Sequence, residues 1–87
     1  MNSYLTDEFI ECFRDLPDSV KEQARKSYRL WRDNPRHPSL HFKRIHSTQS
    51  IYSVRISLGW RALGLVEGEN IYWYWIGPHA EYERLIK

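Results

Sequence analysis

Hydrophobic positions along the chain follow two different periods, and the change falls near Leu40. Before it, Phe9, Ile10, Phe13 and Leu16 recur at helical spacing, which predicts a helix that Pro17 closes. Thr6 can cap that helix, and Asp7 and Glu8 suit the positive end of its dipole. A second helix restarts at once, with either Pro17 in its first turn or Ser19 and Glu22 forming a capping box. Its buried stripe is Val20, Ala24, Ser27/Tyr28 and Trp31, while Arg25, Lys26, Arg29 and Arg32 face water, and Asp33-Asn34-Pro35 stops it. Two helices joined almost without a linker predict an antiparallel hairpin.

After the turn Arg36-His37-Pro38-Ser39 the period becomes two. Leu40 and Phe42 alternate with His41 and Lys43; Tyr52, Val54 and Ile56 with Ser53, Arg55 and Ser57; Ala62, Gly64 and Val66 with Arg61, Leu63 and Leu65. Ile71–Ile76 is apolar on both faces, as a central or helix-covered strand would be. Ser47–Ser50, Leu58-Gly59 and Glu67–Asn70 have the length of hairpin connections. The expected architecture is a single α+β domain over 1–87: a helix hairpin covering one face of a mainly antiparallel four-stranded sheet, with the other face partly open. Phe9, Phe13, Trp31, Tyr52, Val54, Trp73 and Trp75 read as core, with Trp73 and Trp75 on one strand face. Cys12 reads as a small buried residue of the first helix.

Composition sharpens this reading. At 87 residues the chain has room for one core, and 41% hydrophobic with 28% charged residues is an ordinary globular balance. A single cysteine excludes an internal disulfide, and no Cys/His spacing suggests structural zinc. No apolar run is long enough to span a membrane, and residues 1–20 lack a secretory signal, so a cytosolic location is expected. Glycine-rich phosphate loops, a nucleophilic Ser or Cys triad and paired catalytic carboxylates are likewise missing from the pattern.

The net charge of +2 conceals a strong local imbalance. Residues 34–66 carry Arg36, Lys43, Arg44, Arg55 and Arg61 with no Asp or Glu, together with His37, His41 and His46. Such a segment is an electrostatic footprint for a polyanion. Alternation puts Arg55 opposite in facing to Tyr52, Val54 and Ile56, and a turn at Leu58-Gly59 would bring Arg61 within reach of it. Guanidinium groups without acidic partners do not belong in a core. Beyond the last strand, Gly77-Pro78 turns the chain so that His79 and Tyr82 emerge at the sheet's end. Histidine exchanges protons near neutral pH, and tyrosine can donate a proton or stack on a base.

Taken in order, the helix hairpin, Asn34-Pro35-x-His37-Pro38-x-Leu40-x-Phe42-Lys43, Tyr52-Ser53-Val54-Arg55-Ile56, Gly59-Trp60-Arg61-Ala62-Leu63 and Trp75-Ile76-Gly77-x-His79-x-Glu81-Tyr82 resemble the RelE/ParE toxin superfamily. The resemblance implies a toxin of a bacterial type II toxin–antitoxin pair. RelE-like and YafQ-like members cleave mRNA, usually on the ribosome, without metal or cofactor; ParE-like members inhibit DNA gyrase. It also implies a cognate antitoxin that lays an acidic or amphipathic segment over the basic sheet or the helix hairpin. Position by position, Arg61 and Arg55 would meet the phosphate and His79 would act as general acid or base. Tyr82 would stack or donate a proton, Lys43 would attract the RNA, and Trp60 would support Arg61. Arg44, His41 and His46 are further candidates for substrate contact, whereas His37 reads as part of its turn. The chain departs from the RelE-like pattern at Ser53, where a second strand base is expected, at Leu85, where a late aromatic is expected, and at Met1–Leu5, a poorly marked first strand. A ParE-like gyrase inhibitor and a decayed RNA- or partner-binding relative are the alternatives.

Overall fold

A pair of helices laid across one face of a sheet frames the molecule in a computed structural model that describes residues 1–86. The elements are β1 (Asn2–Leu5), α1 (Asp7–Arg14), α2 (Asp18–Asp33), β2 (Lys43–Arg44), β3 (Ile51–Ser57), β4 (Trp60–Glu67), β5 (Asn70–Pro78) and α3 (His79–Leu85). The sheet order is β1-β5-β4-β3-β2. Neighbours from β2 to β5 pair antiparallel, as the meander predicted. The expected four strands become five, because β1 adds to β5 in parallel. Its four residues carry little local pattern, and it is held by parallel pairing with a strand 68 residues away, where the Asn2 side-chain amide also donates to Asn70 Oδ1 at 3.1 Å.

Local chemistry explains the helix starts. The Thr6 hydroxyl accepts from the Phe9 N–H at 3.2 Å and donates to the Trp73 carbonyl at 3.0 Å, so one side chain caps α1 and ties it to β5. Neither opening expected for α2 forms. Pro17 sits just outside the helix, where its carbonyl accepts from Val20 and Lys21, and no side chain caps the end. On one sheet face α2 buries Val20, Ala24 and Trp31 against Val54, Ala62, Ile71, Trp73 and Ile76, and α1 packs Phe9 and Phe13, half-buried, against the same cluster. Trp31 meets Trp73 and Phe42 edge to face, with ring centroids 5.4 and 5.7 Å apart. Cys12 is half-buried at the margin of this cluster.

Three expectations change. Leu40 is buried in a short 3₁₀ turn, Pro38–Leu40, and not in a strand; His41 follows in left-handed backbone at φ 45°, so strand pairing waits until Lys43. A bulge in β5 skips Tyr74, so that Trp73 faces Gly64 while Trp75 faces Leu63. Trp73 and Trp75 therefore lie on opposite faces, and Trp75 covers Gly77 away from the helices. Finally, the chain after Gly77-Pro78 forms α3, which packs on the face that the hairpin leaves open.

The register fixes what that open face presents. Arg55 stands directly across from Arg61, and Arg61 from Gly77; Lys43, Ser53, Leu63 and Trp75 make the adjacent row. Like charges paired across strands repel, and salt screens them. Arg55→Gln is expected to raise unfolding stability by about 0.2–1 kcal/mol at low ionic strength, measured by urea titration, with the gain fading in molar salt. Packing at the bulge gives a second expectation. A Cβ at Gly64 would sit 2.8 Å from the Trp73 ring and 2.9 Å from Ile71, whereas one at Gly59 meets nothing within 4 Å. Gly64→Ala should cost about 1–3 kcal/mol by overpacking, and Gly59→Ala should change stability by less than about 0.5 kcal/mol.

Candidate nucleic-acid interface

The β3–β4 turn organises the cationic groups. Arg61 Nη1 donates to the carbonyls of Ser57 at 2.8 Å, Leu58 at 3.3 Å and Trp60 at 2.9 Å, which holds the guanidinium against the turn. The remaining carbonyl of the turn, that of Gly59, accepts from the His79 N–H at 2.8 Å. One turn thus fixes the base on β4 and the first residue of α3. Burial, and after it the neighbouring Arg55, lowers the Arg61 guanidinium from the ordinary arginine value, while Tyr82 and Glu83 oppose the shift. Arginine remains charged in water at neutral pH. Among the described residues neither Arg55 nor Arg61 is ion-paired to a carboxylate, an arrangement that can accept a phosphate.

His79 is half-buried at the start of α3, with its ring centroid 5.6 Å from that of Tyr82. Its Nε2 lies 3.4 Å from Glu83 Oε1, one helical turn on. Glu83 was not among the residues read from the sequence. The spacing His79-x-x-x-Glu83 carries the signal once the segment is recognised as a helix opening after a proline.

The structure does not bring every candidate to this face. Lys43 is there, exposed on the neighbouring row. Arg44 points to the helix side with Tyr52, and its Nε donates to the His46 carbonyl at 3.1 Å and to the Gln49 carbonyl at 3.4 Å. Trp60 packs against the helix-side core, the opposite face from Arg61, as neighbours in a strand must. His46 Nδ1 accepts from the N–H groups of Gln49 at 2.9 Å and Thr48 at 3.2 Å, which makes it a loop cap. His37 does the same for Ser39, at 3.2 Å, within its turn. His41 is exposed in the left-handed stretch before β2. Tyr82 is 6% exposed, packed under α3 with its hydroxyl donating to Ser53 Oγ at 3.2 Å, so it presents no open ring for a base to stack on.

A second feature lies on the other side of the sheet. Between α1, α2 and the strands runs an apolar groove of about 340 Å³, lined by Leu5, Phe9, Ile10, Tyr28, Trp31 and Ile56 among others. Leu5 is 53% exposed, Ile10 40% and Tyr28 37%, more than isolated surface side chains require. Bases border it: Lys21 and Arg25 lie over the Phe13 ring, and Arg32 over that of Tyr28. Among the described residues no three His, Cys, Asp or Glu side chains converge as metal ligands would, and no helix is long and apolar enough to cross a membrane.

Comparison with known proteins places the fold. No curated protein matches the sequence. The structure is similar to RelE in the RelB–RelE antitoxin–toxin complex of Methanococcus jannaschii, with a TM-score of 0.75 and 12% identity over 97% of this chain and 99% of that one. It is similar to YafQ from E. coli strain BL21(DE3), with a TM-score of 0.74 and 10% identity over 93% and 96% of the two chains. Similarity to the isolated E. coli RelE toxin gives a TM-score of 0.66 and 18% identity over 97% and 94%. The ParE-like toxin domain family matches residues 18–84, from the start of α2 into α3. With that match over most of its length, and with RelE-like solved structures sharing its architecture, the chain belongs to the RelE/ParE toxin superfamily.

Proposed function

We propose that the chain is the toxin of a type II toxin–antitoxin pair and an mRNA endoribonuclease that acts on the ribosome. The observation that carries this reading is the cross-strand pair Arg55–Arg61 with His79 fastened to the same turn. RNA supplies its own nucleophile. The 2′-OH attacks the adjacent phosphorus, a 2′,3′-cyclic phosphate forms, and the bond to the 5′ oxygen breaks. Negative charge grows on the phosphate oxygens, where Arg61 and Arg55 neutralise it in place. His79 exchanges a proton with the reacting oxygens, taking it from the 2′-OH or giving it to the departing 5′ oxygen. With Nε2 turned towards Glu83, Nδ1 is the nitrogen left for that exchange. Lys43, on the next row, draws the RNA chain onto the face.

The groove on the helix side suits the antitoxin. An amphipathic helix with acidic flanks would bury its apolar stripe against Leu5, Ile10 and Tyr28 and set its carboxylates near Lys21, Arg25 and Arg32. The M. jannaschii relative was solved as an antitoxin–toxin complex, which supports a partner of this kind. A ParE-like action on gyrase is the second reading, favoured by the family match over residues 18–84.

Two experiments follow. Free toxin is assayed for ribosome-dependent mRNA cleavage beside a gyrase supercoiling assay. Arg61→Ala and His79→Ala are each expected to lower cleavage at least a hundredfold, the scale on which charge stabilisation and acid–base catalysis act. Folded wild type that leaves message intact but blocks supercoiling transfers the protein to the second reading. For the groove, Ile10→Asp is expected to weaken antitoxin binding at least tenfold in calorimetry, about 1.4 kcal/mol. Unchanged affinity would remove the groove from the interface.

A further inference from the structure

Tyr82 differs from the other candidates of the cationic face in being almost wholly enclosed. Among the described residues it is the one buried residue of α3, and Ser53 is the one buried polar residue, at 2% exposure. Their hydroxyl groups meet at 3.2 Å between α3 and β3. A seven-residue helix is too short to hold itself together in water. Its start lacks a side-chain cap, so its placement depends on what it touches. Apolar contact alone would allow such a helix to roll, whereas a hydrogen bond between enclosed groups fixes its rotation.

We infer that the Tyr82–Ser53 hydrogen bond is a positioning device, which seats α3 so that His79 is held beside the Arg55–Arg61 pair. The Gly59 carbonyl anchors the first residue of α3, and Tyr82 anchors it again three residues later. The Tyr82 ring flanks the His79 ring at 5.6 Å and 41°. Rolling α3 to free Tyr82 would therefore swing the imidazole away from the turn that holds Arg61. Ser53 also stands where the RelE-like pattern expects a base. In this chain, that position gives up a cation and supplies an acceptor for the helix that bears the imidazole. The catalytic consequence rests on the ribonuclease reading; the seating of His79 does not.

The test compares wild type, Ser53→Ala, Tyr82→Phe and the double variant, all checked for folding by thermal melting. Imidazole signals are followed by NMR, with His37, His41 and His46 as internal references, and kcat and KM are measured for mRNA cleavage on ribosomes. In each single variant the His79 signals are expected to move while the other three stay. The expected kcat falls roughly tenfold to a hundredfold, as misplacement of a reacting group produces, with KM within about twofold. Because both changes break the same bond, the double variant should be little worse than either alone. Folded Ser53→Ala with His79 signals unmoved, or with unchanged kcat in an active enzyme, overturns the inference. A wild type that cleaves no RNA defeats the ribonuclease reading instead, and the His79 signals still decide the seating of α3.

Discussion

Two positive charges forced into register across neighbouring strands are the constraint on which this molecule is built. The β3–β4 hairpin admits no other neighbour for Arg55 than Arg61, and the acid-free stretch around them offers no carboxylate to relieve the pair. Burial as a core pair is closed to guanidinium groups without counter-charges. They must therefore lie on the face that the helix hairpin leaves uncovered. The turn between the strands turns this repulsion into geometry. Three of its carbonyls hold Arg61 and the fourth holds the first residue of α3. Groups that a sequence map places eighteen residues apart are fastened to a single four-residue turn.

The sheet separates two kinds of surface. Its helix side keeps an open apolar groove between α1, α2 and the strands, bordered by bases. Its other side carries the cations, with α3 laid beside them. An apolar helix and a polyanion can thus be met on opposite faces without competing for the same side chains. On the proposed reading, such a division lets an antitoxin hold the helix side while the cationic face remains chemically intact.

Much of the frame was legible along the chain, because it rests on periodicity. Val20, Ala24 and Trp31 of the helix stripe and Val54 and Ala62 of the alternation come from residues that pack on one face, and they lie in the core as expected. What escaped depends on partners far away in sequence. β1 exists through its backbone bonds to β5, and the β5 bulge turns Trp75 away from Trp73 without altering the local pattern. Leu40 kept its buried place but lost its strand, since left-handed His41 intervenes. In the site, Arg55 and Arg61 were readable because hairpin register is short-range. Trp60 could have been placed correctly by the same rule, as a strand sends adjacent residues to opposite faces. The burial of Tyr82 needed knowledge of α3, and Glu83 needed it too.

The central claim is that one phosphodiester sits between Arg55, Arg61 and His79. Its most direct test is a structure of the toxin with a short RNA whose scissile nucleotide lacks the 2′-OH, so that binding proceeds and cleavage does not. The account expects the scissile phosphate within about 3 Å of both guanidinium groups, with the His79 ring at hydrogen-bond reach of the 2′ position or the 5′ oxygen. RNA bound elsewhere, with the Arg55–Arg61 pair left to solvent, would contradict it.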